Sequence, residues 1–233
     1  MFDFKKHLDH YKNTMKDTWL TPRGIMFSEG FCLSVVIKEI EANLVLESGT
    51  AFGGSCEMMA LLNPETKIIT TDIHSLYDSK EFSYKRLEKF ENVICKNENS
   101  FSLFPSVLSR NINKVFIFID GPKGNLSIDF VEALIDNFGD KIIAFGIHDV
   151  KYNSSVAKRI KNTFKNFLFT DDPGGVFNEY REIIDNYMLT KNKELTSISK
   201  SSLDKEKGMG YLQSVLKECP RGFGLAIIKG PFK

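Results

Sequence analysis

The sequence predicts an α/β fold built on a doubly wound, mainly parallel sheet, and three observations carry that expectation. From residue 44 onward, short apolar runs alternate with segments of helical length, which is how a parallel sheet with crossover helices reads. A glycine-bearing turn, Gly49-Thr50-Ala51-Phe52-Gly53-Gly54, follows the first run. An acid, Asp72, closes the second run twenty-three positions after Gly49.

The elements follow in order. Phe4, Leu8, Tyr11 and Met15 recur every three to four positions, so residues 2–16 read as an amphipathic helix. After the turn-rich Thr21-Pro22-Arg23-Gly24, residues 28–41 read as a second helix, and together these segments are long enough for a helical cap over a pocket. The strands of the sheet are expected at 44–47, 67–73, 93–96, 115–120 and 142–147, with helices near 54–62, 82–90, 101–110, 128–138 and 153–165. Two short apolar strands, 166–169 and 223–229, raise the count to seven. Between them lie one helix near 176–188 and a polar stretch, 191–210, that reads as a loop or lid.

Composition narrows the function classes. The 233 residues suffice for one large domain with its own core. Thirty-one basic against thirty acidic residues leave a net charge of +1, which disfavours a nucleic-acid partner or an anionic membrane surface. The twenty phenylalanines fall within strand and helix periodicities and lack an accompanying basic stripe, so they read as core. Cys32, Cys56, Cys95 and Cys219 form no C-x-x-C pair and read as reduced thiols. The N-terminus lacks the apolar run of a signal peptide, and no stretch approaches about eighteen apolar residues; a cytoplasmic protein is expected.

A strand ending in Glu47, then the glycine turn, then a helix opening near Gly54 is what a nucleotide-bearing cofactor needs. Glycine lets the backbone approach the ligand, and a helix N-terminus presents free N–H groups. Asp72 stands where an acid accepts hydrogen bonds from ribose hydroxyls. Because Gly49-x-Ala51-x-x-Gly54 also fits a dinucleotide loop with alanine at its second glycine, the turn alone leaves S-adenosylmethionine (SAM) and NAD open.

Taken whole, Leu46-Glu47-Ser48-Gly49-Thr50-Ala51-Phe52-Gly53-Gly54-Ser55 resembles the first motif of class I SAM-dependent methyltransferases, and most closely that of small-molecule O-methyltransferases. Asp72 matches that family's ribose-binding acid; Asn97-Glu98-Asn99-Ser100 falls where the family places polar residues beside the adenine. Phe118-Ile119-Asp120-Gly121 matches the end of its fourth strand, and 222–228 its antiparallel last strand. Glu47, two residues before the first glycine, stands where a methyltransferase acid meets the methionine end of SAM and a dehydrogenase usually has an apolar residue. The resemblance covers residues 40–170 well and the last dozen loosely. It implies a seven-stranded sheet with an antiparallel last strand and one domain over 1–233: a helical cap (1–42), a cofactor-binding core (43–170), and a lid insertion with the final strand (171–233). The implied cofactor contacts are Glu47, Gly49, Thr50, Ala51, Phe52, Gly53, Ser55, Asp72, Ile73, Asn99, Ser100 and Asp120.

Methyl transfer needs an aligned acceptor and, for a hydroxyl, somewhere for its proton to go. Candidates at strand C-terminal ends are Asp120, Lys123, His148 and Asp149. Asp120 and Asp149 are placed to hold Mg²⁺, as acids at these two places do in related metal-dependent O-methyltransferases. This sequence departs from them in running Pro122-Lys123-Gly124 after Asp120-Gly121 and in having His148 where a second acid occurs. Without a metal, His148 becomes the expected base, with an ordinary pKa of about 6.5. Trp19 and the loop 171–176 are candidate pocket walls, His74 a candidate ribose or adenine neighbour, and His7 and His10 read as surface residues. The expectation is O-methylation of a small polar acceptor such as a sugar, a surface-glycan unit or a secondary metabolite. An NAD-dependent oxidoreductase and a degenerate SAM-binding protein without turnover are the alternatives, and the amphipathic first helix leaves a homodimer open.

Overall fold

The computed structural model describes residues 2–16, 25–73, 83–198 and 224–232. Trp19, the 21–24 turn, His74, residues 199–210 of the expected lid and Cys219 lie outside the described residues.

Two helices, α1 (Phe4–Met15) and α2 (Phe27–Glu39), precede the sheet. The chain then runs β1 (Leu44–Ser48), α3 (Gly54–Leu62), β2 (Lys67–Thr71), a helical turn at 83–87, β3 (Val93–Lys96), α4 (Ser100–Leu108) and β4 (Val115–Ile119). It continues with α5 (Asn125–Phe138), β5 (Ile142–His148), α6 (Ser155–Thr163), β6 (Phe167–Phe169), α7 (Asn178–Ile198) and β7 (Leu225–Lys229). Side-chain caps start several helices: Asp3 accepts from Lys6 N at 3.2 Å, Asn99 from Phe101 N at 2.9 Å and Ser154 from Ala157 N at 3.1 Å.

The seven strands lie in the order β3-β2-β1-β4-β5-β7-β6. The first five pair in parallel, while β7 runs antiparallel to both β5 and β6. Strand order reverses between β1 and β4, and in an open α/β sheet that reversal opens a crevice at the strands' C-terminal ends.

Side chains of β1 alternate between two cores. Leu44 and Leu46 join α4, α5 and α6 on one face, while Val45 joins α1, α2, α3 and α7 on the other. The expected cap thus forms part of a packed layer. Residues 27–37 of α2 are buried throughout, so the polar side chains among them, Ser28, Glu29 and Ser34, need partners inside the fold. Gly146 in β5 makes room for this layer, since a Cβ there would come within 3.0 Å of Leu33 and 3.1 Å of Phe116. At the other end, residues 191–198, expected in a polar loop, continue α7. Among the described residues no helix is long and apolar enough to cross a membrane.

Candidate functional site

The glycine turn sits at the reversal of strand order. Ser48 O receives Asp120 N at 2.8 Å and Gly121 N at 3.2 Å, which fixes the ends of β1 and β4 side by side. Gly49 follows with φ +99°, and a Cβ there would lie 3.2 Å from the Asp120 backbone, so glycine is required twice over. Gly53, φ +75°, is the N-cap of α3, whose free N–H groups open toward the turn. Ala51, also at positive φ (41°), donates its N–H to Asp72 Oδ2 at 2.9 Å. The two features that the sequence set twenty-one positions apart are therefore joined directly.

Glu47 is the buried acid of this turn, with 0% exposure. Ser55 on α3 donates to its Oε1, while Oε2 has no hydrogen-bond partner among the described residues. Burial raises its pKa to about 7, although the Ser55 hydrogen bond works against the rise. Thr70 and Cys56 also bear on this carboxyl and oppose the rise, so what Oε2 lacks is a donor at full hydrogen-bond geometry. The other expected cofactor contacts divide. Thr50 is buried with its Oγ1 2.6 Å from Thr70 Oγ1, and Ser100 Oγ accepts from Ser48 Oγ at 2.8 Å. Asn99 Oδ1 is engaged in capping α4, whereas Ile73 is 53% exposed and Phe52 half-buried.

The second half of the site is a chain of alternating charges. His148, at the end of β5, places Nδ1 2.6 Å from Asp120 Oδ1 and Nε2 3.2 Å from Glu29 Oε2. Lys123 is ion-paired to Asp120 Oδ1 and lies 2.6 Å from Asp149 Oδ2. Asp149 holds a left-handed backbone (φ 59°), uncommon outside glycine, which turns the chain sharply off β5. Burial alone would lower the pKa of His148, yet the carboxylates of Asp120 and Glu29 push it up to about 10. Lys123 is likewise raised by Asp120 and Asp149 against the effect of burial. In Glu29 and Asp120 burial works upward, but His148 in both, and Lys123 for Asp120, hold the carboxyls below their usual range. Carboxylates at both ring nitrogens favour the imidazolium, in which both nitrogens donate. The role of base expected for His148 would need the neutral ring.

Glu29 was missed in the sequence. It is 2% exposed, and besides His148 it accepts from Met26 N at 2.8 Å and from Gly224 N at 3.1 Å. The available signal was an acid within the apolar run 25–37, where a charge is retained only if paired. Beside it, Asp185 accepts from Ser28 N (2.9 Å) and Ser28 Oγ (2.7 Å), and burial raises its pKa to about 6. His7, expected at the surface, is instead buried on α1 and paired with Glu39 at 2.8 Å; His10 is exposed. The 171–176 loop is held by Asp171, which accepts from Tyr152 N at 2.9 Å. Cys32 and Cys56 are buried free thiols and Cys95 a half-buried one.

Ligand atoms of Asp120, His148 and Asp149 lie within 4.8 Å of one another, a spacing a divalent ion could span. The side chains as placed do not fit one. Lys123 bridges the two carboxylates, and both His148 nitrogens face carboxylate oxygens, so His148 has no lone pair to give.

No family model matches the sequence, and no curated protein is similar to it. Several solved structures share its outline. An O-methyltransferase of Streptomyces achromogenes involved in tomaymycin synthesis, solved in complex with SAM, is 15% identical, with 99% of this chain and 92% of that one covered at a TM-score of 0.48. An O-methyltransferase of Bacillus cereus in complex with SAH (S-adenosylhomocysteine) is 14% identical over 97% and 90% of the two chains, at 0.47. A methyltransferase of Podospora anserina, solved with SAH, is 12% identical over 97% and 86%, at 0.47. Scores below 0.5 at such identities leave the functional reading to rest on this chain's own residues.

Proposed function

We propose that this chain is a SAM-dependent methyltransferase that methylates a hydroxyl of a small polar acceptor, of the sugar, surface-glycan or secondary-metabolite kind. The observation that carries the reading is the buried, half-unsatisfied Glu47 carboxylate beside the Gly49 turn, with Asp72 closing the same turn. An ammonium group answers an orphaned carboxylate oxygen, and a ribose hydroxyl pair answers an acid at the end of β2. SAM carries both groups and supplies the methyl on a sulfonium. NAD has no ammonium for Glu47, and a dinucleotide loop has no need of a buried acid there.

Glu47, with Ser55, would hold the methionine end. Asp72 and the exposed Ile73 would take the ribose and adenine, with Asn99 and Ser100 at the adenine's edge and Asp120 at the junction with the acceptor side. Thr50, Ala51, Phe52 and Gly53 shape the turn. Transfer forms an O–CH3 bond, breaks an S–CH3 bond, and requires the hydroxyl proton to leave. Asp149, the most accessible carboxylate of the charged cluster, would take that proton at Oδ1, while Lys123 holds Oδ2. Lys123 then presents an N–H group to the negative charge that builds on the acceptor oxygen. Asp120 and Glu29 keep His148 charged and oriented. Mg²⁺, expected at Asp120 and Asp149, takes no part in this reading.

Isothermal titration with SAH, with NAD as the control ligand, tests the class. Binding of SAH at about micromolar Kd with none of NAD is the expected result; NAD binding without SAH binding would overturn it.

A further inference from the structure

We infer that Lys123 is a built-in monovalent cation occupying the place between Asp120 and Asp149 that a divalent metal would take, so that the cluster works without metal. Its consequence for catalysis rests on the methyltransferase reading; the claim about cation binding does not.

Three carboxylates, Glu29, Asp120 and Asp149, meet at the ends of β4, β5 and α2. His148 sits between Glu29 and Asp120, and the Lys123 ammonium contacts Asp120 Oδ1 and Asp149 Oδ2 together. Arg181, a buried guanidinium on α7, acts electrostatically on Glu29. Arg181 is shared between Glu29 and the neighbouring Asp185, whereas the pair Asp120 and Asp149 already holds a cation between its oxygens. A divalent ion between Asp120 and Asp149 would fall on the Lys123 ammonium, and like charges at contact distance repel strongly where water is scarce. The ion could enter only after Lys123 swung out and gave up its contacts with both carboxylates. Removing the lysine reverses this. Two carboxylates whose oxygens lie within reach of a common ion would then be left without the cation between them.

The backbone supports the substitution of lysine for metal. Lys123 follows Asp120 by three residues in the turn between β4 and α5, with Gly124 next at φ +69°, so the side chain is led back over its own aspartate. Asp149 meets it through its left-handed turn off β5. Half of the lysine side chain remains accessible, which leaves an N–H free to face an acceptor oxygen.

Direct Mn²⁺ binding, followed by the electron paramagnetic resonance signal of the free ion, tests this without any need for turnover. Wild type is expected to bind Mn²⁺ only weakly. Lys123→Ala and the length-conserving Lys123→Met are each expected to bind it at least about tenfold more tightly, and Asp149→Asn added to either should abolish the gain. Two lysine variants guard against one that fails to fold, and circular dichroism with SAH titration verifies each. Tight Mn²⁺ binding by wild type that is lost with Asp149→Asn would overturn the inference. So would folded lysine variants that bind no better than wild type. Either outcome leaves SAH binding, and with it the methyltransferase reading, to be judged separately.

Discussion

Replacing Glu29 by glutamine removes one of the two charges that hold His148 as a cation while nearly preserving volume. Nε2 lies 3.2 Å from Glu29 Oε2, which puts the charge centres about 4 Å apart, where an ion pair in a protein site is worth about 4 kcal/mol. At about 1.4 kcal/mol per pH unit that is a fall of about three units in the His148 pKa, and somewhat less because the Asp120 contact, at 2.6 Å, remains. His148 should therefore drop from about 10 to about 7 or 8. The sign follows from linkage. A histidine raised in the folded state stabilises fully below its unfolded pKa of about 6.5, and that stabilisation fades as pH climbs toward the folded value. Glu29 and Asp120, held low, act in the opposite sense: their contribution is present above the ordinary carboxylate range and disappears as pH falls through their folded values. Wild type should lose melting temperature progressively from neutral pH to about pH 10 as His148 gives up its proton. Glu29→Gln should complete its smaller loss by about pH 8. A ¹⁵N-imidazole NMR titration reads the histidine directly. Wild-type His148 titrating near its ordinary value, or a Glu29→Gln protein with an unchanged His148, would refute the reasoning.

Glu47, raised to about 7 by burial, is protonated in the apo protein at mildly acid pH, so seating an ammonium beside it should release a proton. SAH affinity is expected to rise between about pH 6 and pH 8, with proton release seen by calorimetry in buffers of different ionisation heat, and Glu47→Gln should abolish the dependence; proton uptake would contradict the assignment. Gly49→Ala forces a Cβ into a φ of +99° within 3.2 Å of Asp120 and should destabilise by about 1–3 kcal/mol, read as a lowered melting temperature with SAH binding lost. Asp72→Ala should weaken SAH by about tenfold or more, since it removes both the ribose acceptor and the Ala51 N–H contact; undiminished affinity would rule the acid out. His148→Ala should spare SAH binding and slow methyl transfer, and the reverse pattern would exchange the roles given to the two halves of the site.

Much of the architecture was legible because its signals are local. The runs at 93–96 and 54–62 coincide with β3 and α3, and those at 44–47 and 115–120 differ from β1 and β4 by one residue at an end. The glycine turn and Asp72 were readable for the same reason: turn chemistry and strand ends leave their marks in a few neighbouring residues. Glu29 was not readable, because nothing within α2 reports that β5 delivers a histidine to it. His7 was misread since its partner, Glu39, lies on another helix, and α7 runs past its expected end at 188 to Ile198 through a segment whose own composition is polar. That His148 stands between two carboxylates was not readable either, because Asp120 and Glu29 converge on it only in three dimensions.

The reach of Glu29 has a consequence for the order in which the molecule matures. Around the glycine turn the contacts span eight residues from Glu47 to Ser55, twenty-one from Ala51 to Asp72, and no more than seventy-three from Ser48 to Gly121. On the other side Glu29 bridges 119 residues to His148 and 195 to Gly224. Closing a loop of the second kind costs about 2–3 kcal/mol more chain entropy than closing one of about ten residues, so these contacts belong to the slow, non-local stage of folding. A nascent chain would thus assemble its glycine turn well before the last strand arrives to lock the opposite wall, and on the methyltransferase reading SAH affinity would be regained ahead of turnover on the way back from denaturant.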